Sequence, residues 1–473
     1  QVADFLSKIL IIFILCDCGY ITYFNSFYGE AVQILALLLV VTGILRIINR
    51  NRLAGVDILL IFSASVLYGW SKFANIPAAI ICSIVSLFMA IPAAVKKSMS
   101  IAAGIFTVCI LALIYLIIPD WMDNQTTYNS IFFGIVKDTD EKTTSIYLKE
   151  LGLPPETAEL AGTNYYVDGI GSKVENMNVS EAIRKISKAD ILKFYLRHPE
   201  YFIEKLVLAV RHSGFVRPFY LSNSNNVPRF TQTNRFSVWS FFRIRMGFDT
   251  VYGNIAVFVA FSMLLAYFYK KSKMKLEHCL LLFILTAFML AYHLAVPVVT
   301  NGEDDLAKHM FAYVQVIDLL FLFVVICGIE GFSTVKLRKA GFAPFIAFIL
   351  VMVLCVRPFT ERLNDFSLKS KKHQKIEVGS YISFGTIENK EIIWLVTNVS
   401  ESTAELIATR PVGEMPFYDN EGQYGSNYWP DSTIRFWLNN DFIRNFSDNE
   451  RNYIKIATNP FLLSKENKKY ATA

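Results

Sequence analysis

The chain has 473 residues, enough for two or three folding units, and only 18% of them are charged while 53% are hydrophobic. With a mean hydropathy of +0.38, this composition excludes a disordered chain and an ordinary soluble globule. The formal net charge of +6 comes from Lys and Arg placed mostly in short connections between apolar runs, so it speaks for membrane orientation and not for nucleic acid.

Nine apolar runs approach spanning length: 5–24, 31–48, 56–71, 76–95, 101–118, 251–269, 278–299, 310–332 and 340–356. The short basic connections Arg46–Arg52, Lys96-Lys97, Lys270–Lys275 and Lys336–Lys339 belong in the cytoplasm. Counting spans between them puts the N-terminus inside. Thr22–Glu30, Ser71–Asn75, the segment 119–250, Thr300–His309 and everything after 357 then lie outside. The basic stretch Arg357 to Lys375 pulls the other way, but long translocated segments obey the charge rule weakly. The chain opens on Gln1, which fits a missing N-terminal piece. All seven cysteines (Cys16, Cys18, Cys82, Cys109, Cys279, Cys327 and Cys355) sit in apolar runs, so no disulfide framework is expected.

The outer segment 119–250 is too long for a turn and carries helix signals. Thr143–Leu151 is stopped by Gly152 and Pro154-Pro155, and Asn178 offers a cap to a helix through Ile186. Pro199–Arg211 is amphipathic; it either lies on the outer leaflet or packs on neighbouring spans. A transmembrane domain 1–357 is thus followed by a basic linker 358–375 and a soluble α+β module 376–473. In that module Glu377–Phe384, Ile392–Val399 and Glu405–Thr409 read as strands, and Asp431 or Ser432 caps a helix. No clear final strand follows, as if the module were truncated.

Signatures of soluble enzymes are missing: there is no P-loop, dinucleotide turn, nucleophile elbow or metal-spaced His pair. No cofactor is expected, and a divalent metal stays open. The charged knot Asn301–His309 stands between two apolar runs and needs a reason. Asp305, Lys308 and His309 stand at i, i+3 and i+4, on one face of a helix that begins by Asp305. A carboxylate beside an imidazole can deprotonate a hydroxyl, and Glu303, Asp304 and Lys308 can hold a sugar or a phosphate. Alternatively the three acids cap and solvate a helix start. Asp318, inside a span, is expected to be buried and partnered and is also a candidate substrate-binding residue, with Asp17 in similar standing and Asp57 at the interface. A basic set (Arg197, His198, Lys205, Arg211, His212, Arg217, Arg229, Arg235, Arg243 and Arg245) either grips a phosphate or meets anionic headgroups.

Tyr128–Asp138, Leu148–Pro154 and Ala161–Tyr166 resemble a bacterial family of polytopic hexose transferases of the WsfD type, linked to surface-layer glycans. Tyr195–Pro199, Arg217–Leu221 and Asp304–His309 with Asp318 share that likeness, which covers about 100–330. The resemblance implies a mainly α, GT-C-like membrane glycosyltransferase that takes a polyprenyl-phosphate sugar donor and a glycan acceptor on the outer face of the bilayer. It also implies a catalytic carboxylate in the first outer loop, where this chain offers Glu30, with Asp17 nearby. The tail resembles an exported bacterial domain of unassigned function through Gly379–Gly385, Ile393-Trp394 and Trp429–Asn439. That likeness implies a lectin-like or sulfatase-modifying-factor-like fold, with Trp429 and Trp437 as core residues or sugar platforms. The expectation is a hexosyltransferase; the alternative is a membrane-anchored protein that binds or senses glycan or cell wall without catalysis.

Overall fold

The computed structural model describes residues 2–50, 52–117, 120–166, 170, 174, 179–218, 221, 237–271, 274–333, 376–387, 390–400, 403–413, 415–417, 432–451, 453–455, 457–458 and 471–472. They fall into two units, Gln1–Pro358 and Phe359–Ala473.

The first unit is helical. Its first half holds α1 (Val2–Leu15), the single turn α2 (Cys18–Ile21), α3 (Glu30–Asn49), α4 (Gly55–Ser71), α5 (Ile76–Ala90) and α6 (Lys97–Leu116). Then come α7 (Asp120–Ser130), α8 (Glu141–Glu150), α9 (Val179–Arg184), α10 (Lys188–Arg197), α11 (Pro199–His212) and α12 (Val238–Arg245). The unit closes with α13 (Val251–Lys271), α14 (Leu276–Asn301), the single turn α15 (Leu306–His309) and α16 (Phe311–Ser333). Among the described residues six helices are long and apolar enough to cross a membrane: Glu30–Asn49, Phe73–Ala90, Lys97–Leu116, Val251–Lys271, Leu276–Asn301 and Phe311–Ile329. In the last of these 67% of the apolar stretch is buried, against 28% in α6, α13 and α14. So α16 is the inner post, and the other three turn apolar faces outward.

The count differs from nine for physical reasons. Gly55–Ser71 is apolar but only 17 residues long. The expected first run breaks after Leu15, because Asp17 caps α2 through the Gly19 amide at 2.7 Å. The other Asp17 oxygen accepts the Trp239 and Ser240 amides at 2.9 and 3.2 Å, so one carboxylate caps α12 as well. The expected ninth run, 340–356, lies outside the described residues.

The connections gather at two ends of the bundle. At one, Lys72 between α4 and α5 pairs with Glu30 at the start of α3, and Lys308 of α15 sits over the Tyr28 ring. At the other, Asp57 is fully buried and held by Arg46 and Arg50, and Leu53 bridges to Ala94. The segment α7–α12 supplies a wall to the first end. Asp140 caps α8 and Gly152, at φ 76°, ends it as expected. The amphipathic α11 packs on α14 and α15 and buries Lys205; it does not lie free.

In the second unit β1 (Tyr381–Ile387), β2 (Lys390–Ser400) and β3 (Thr403–Ala408) form an antiparallel sheet in that order. Ser432 caps α17 (Thr433–Asn440) by accepting the Arg435 amide. Ile392, Phe442 and Phe446 centre a small core that Trp394 and Trp437 pack against. The sequence offered no closing strand, yet β5 (Ala471–Thr472) pairs with β4 (Ala457–Thr458). Trp429 is outside the described residues.

Candidate functional site

The hairpin between α14 and α16 carries three consecutive acids, and the fold treats each differently. Gly302 ends α14 at φ 63°, and its Cα packs against Gly134 of the π-helical turn Ile131–Ile135. A Cβ at Gly302 would stand 2.5 Å from the Asn129 carbonyl oxygen, so only glycine permits this approach. Glu303 is clasped by Lys137 and Lys205, each at 2.5 Å. Asp304 accepts the side-chain amides of Asn129, Asn301 and Asn164. Burial raises its carboxyl above the usual range, and the Asn164 and Asn301 hydrogen bonds only partly pull it back. Asp305 stands at φ 45°, left-handed, and starts α15 with its carbonyl receiving the Lys308 and His309 amides at 3.0 and 3.1 Å. Its carboxylate holds the Lys308 ammonium at 2.9 Å.

Asp305 shares its surroundings with a second acid, since its charge and that of Glu30 both bear on Tyr23 and Lys308. Glu30 is 2% exposed and pairs with Lys72 at 2.7 Å. Tyr23, in the helical turn Thr22–Asn25, is fully buried, and its hydroxyl has no hydrogen-bond partner among the described residues. Burial pushes that phenol well above its ordinary value, and the charges of Glu30 and Asp305 push it further. Both carboxylates therefore act on one hydroxyl. Burial works against the charge on Lys308, but the Asp305 hydrogen bond, with Tyr28 and Glu30, outweighs it and raises the ammonium. His309 goes the other way. Burial, then the charges of Lys72 and Lys308, hold it well below its ordinary value, so it stays a neutral imidazole.

Beneath the cluster lies a cavity of about 20 Å³ between Gln33, Lys72, Asn75, His293, Thr300 and His309, room for about one water. A polar ladder walls it: Asn75 donates to Gln33 at 2.8 Å, Gln33 to Gln315 at 3.3 Å, and Gln315 to the Ile34 carbonyl at 3.1 Å. The Tyr68 hydroxyl and His293 Nε2 meet at 2.7 Å. Two carboxylates, two ammonium groups, a neutral imidazole and a buried phenol can hold a phosphate-bearing ligand and take one proton from it or its partner. No group of three or more His, Cys, Asp or Glu side chains suited to a metal ion occurs among the described residues.

The remaining expected residues go elsewhere. Asp318 is fully buried, accepts Tyr20 Oη at 2.7 Å and Trp239 Nε1 at 2.8 Å, and is ion-paired with Arg243. Arg243 thus leaves the expected phosphate-gripping set and becomes the partner that the acid of α16 required. Arg197 and His198 are tied to Glu150 of α8 at 3.2 and 2.8 Å. Arg217 is 3% exposed, whereas Arg211 is exposed. Arg229 and Arg235 lie outside the described residues. Sequence reasoning missed Lys72 and Tyr23. The only signal was a lone Lys in the expected outer turn 71–75, and a run of three tyrosines, Tyr20, Tyr23 and Tyr28, after the first helix.

The matches with known proteins follow these two units. Residues 403–471 match a domain of unknown function, DUF6273. Residues 1–343 match the family described as the YfdI N-terminal transmembrane domain, and neither description names a glycosyltransferase. No curated protein and no solved structure matches the chain. The family match covers well over half of the chain, including every candidate side chain described above: the protein belongs to the YfdI N-terminal transmembrane domain family, and it is a multi-pass membrane protein.

Proposed function

We propose that the protein is a membrane glycosyltransferase, GT-C-like in its helical domain, which moves a hexose from a polyprenyl-phosphate-linked donor to a cell-surface glycan on the outer face of a bacterial membrane. The observation that carries this is the pair of ion pairs Glu30–Lys72 and Asp305–Lys308 at one end of the bundle, with the charges of both acids bearing on the buried Tyr23. The resemblance of Tyr128–Tyr166 and Asp304–His309 to surface-glycan hexose transferases supports it. In this scheme an acceptor hydroxyl bonds to the anomeric carbon while the bond from that carbon to the phosphate oxygen breaks. The electron pair leaves with polyprenyl phosphate, whose charge Lys72 and Lys308 balance, and a carboxylate takes the hydroxyl proton. Asp305, the carboxylate beside the Lys308 ammonium, is the preferred base; Glu303 is clasped by two lysines and Asp304 by asparagine amides. Glu30 is the second carboxylate and holds Lys72 in place. His309, neutral, orients and does not protonate.

The test is the mass profile of lipid-linked and surface glycans from cells carrying the full-length protein, Asp305→Asn, Glu30→Gln or an Arg197→Ala control. One hexose fewer in the first two, with normal membrane levels and an intact profile for the control, is the expected result. A profile that does not change when the gene is removed sinks the transferase. The rival, a non-catalytic glycan-binding or sensing protein, predicts full function from the second unit on an unrelated anchor. It gains little from Trp394 and Trp437, which pack into that unit's core.

A further inference from the structure

Away from the candidate site, α3, α13, α14 and α16 enclose a second cavity, of about 590 Å³. Its wall is aliphatic and aromatic, with Leu37 and Ile44 of α3, Phe261 and Leu265 of α13, Leu285 of α14 and Leu320 of α16. Along α3 the lining runs from Leu37 to Asn49, about 18 Å at 1.5 Å per residue. That depth is a little over half of the ~30 Å hydrocarbon core of a bilayer. The slot therefore begins near mid-span and reaches one membrane surface, the one remote from Glu30 and Lys308.

Its rim is cationic. Lys275 supplies that charge at the lining, which His278 also joins, and the exposed Lys270 and Lys271 end α13 close by. Lys275 is exposed and makes no ion pair among the described residues. The buried acid of this end, Asp57, is already neutralised by Arg46 and Arg50, and the exposed Glu277 does not line the cavity. An apolar slot one leaflet deep under an unneutralised ammonium has the shape and charge of a lipid with a negative head.

We propose that this cavity binds an anionic phospholipid of the leaflet at the Lys275 end, with one acyl chain in the slot and the headgroup phosphate at Lys275. The sugar donor is excluded as occupant by direction, since a head at Lys275 lies at the opposite end of the bundle from Lys72 and Lys308. The site does not rest on the proposed transferase chemistry.

Native mass spectrometry of the full chain, released from nanodiscs of phosphatidylglycerol and phosphatidylethanolamine in equal parts, tests this. One retained phospholipid is expected, enriched in phosphatidylglycerol. Lys275→Gln, a change at an exposed position, should lower that enrichment about fivefold, the factor given by the ~1 kcal/mol of one basic residue at an anionic surface. Leu320→Trp, which fills the slot, should abolish retention altogether. The proposal fails if no lipid is retained, if enrichment is unchanged in Lys275→Gln, or if the retained lipid is an isoprenoid phosphate. It fails equally if a photoreactive group at Leu320 couples to residues 340–356 of the chain and not to lipid.

Discussion

Replacing Asp318 by Asn is the sharpest probe of the bundle. The amide keeps the shape and can still accept from Tyr20 and Trp239, but it removes the charge facing Arg243, a side chain with no exposed surface. Arg243 would then keep the Ser213 and Gly214 carbonyls, the Phe248 ring and the less direct charges of Asp17 and Asp249. Removing one partner from a buried pair costs about 3–5 kcal/mol, because the other charge is left uncompensated in a low-dielectric interior. Arg243→Met should cost a similar amount. The double variant leaves no orphaned charge, so it should be no less stable than either single one, with a coupling on the order of 3 kcal/mol. Denaturant titration of the full chain in mixed micelles, followed by Trp fluorescence, measures all four corners of the cycle. Additive losses would refute the reasoning. The glycan profile adds a second readout: a purely structural pair predicts that the double variant regains transfer, whereas contact between Asp318 and substrate predicts that it does not.

Two further outcomes follow from the hairpin and its wall. Gly302→Ala places a methyl 2.5 Å from the Asn129 oxygen at a positive φ, and should destabilise the protein by more than about 1 kcal/mol; the same titration reads this, and an unchanged midpoint would mean the hairpin is loosely held. Burial brings the Lys188 ammonium down to about 7, where it donates to Thr126, Thr127 and the Thr300 carbonyl. Between about 7 and the ordinary 10.5 the folded protein has shed this proton while the unfolded chain still holds it, so this group makes stability rise with pH across that window, by an amount on the order of a few kcal/mol. Lys188→Met should flatten the rise; a slope that survives the substitution belongs to other groups.

Hydropathy reports the solvent of a segment, so the long helices were legible: α3, α13, α14 and α16 start or end within a few residues of the expected runs. The strands were also close, because alternation and turn residues are local signals. What escaped depends on partners remote in sequence. Asp17 breaks the first run through the nearby Gly19 amide, but its other oxygen is claimed by amides 222 positions later, and Lys72 has meaning only through Glu30, 42 positions earlier. Spacing set Asp305 apart from Glu303 and Asp304, but the partners of those two acids, Lys137, Lys205, Asn129 and Asn164, lie far off in the sequence. Arg243 sat among basic neighbours that suggested a phosphate grip, and no pattern in the sequence says that this one side chain turns inward to an acid of α16.

The double role of Asp17 has a consequence for biogenesis. Ribosomes add about 5–20 residues per second, so the 222 positions between Asp17 and Trp239 take roughly 10–45 s to emerge. During that interval Asp17 lacks the Trp239 and Ser240 amides that donate to it, and Tyr20 lacks the Asp318 carboxylate to which it donates. The turn that follows α1 is therefore fixed only after α12 and α16 have been made.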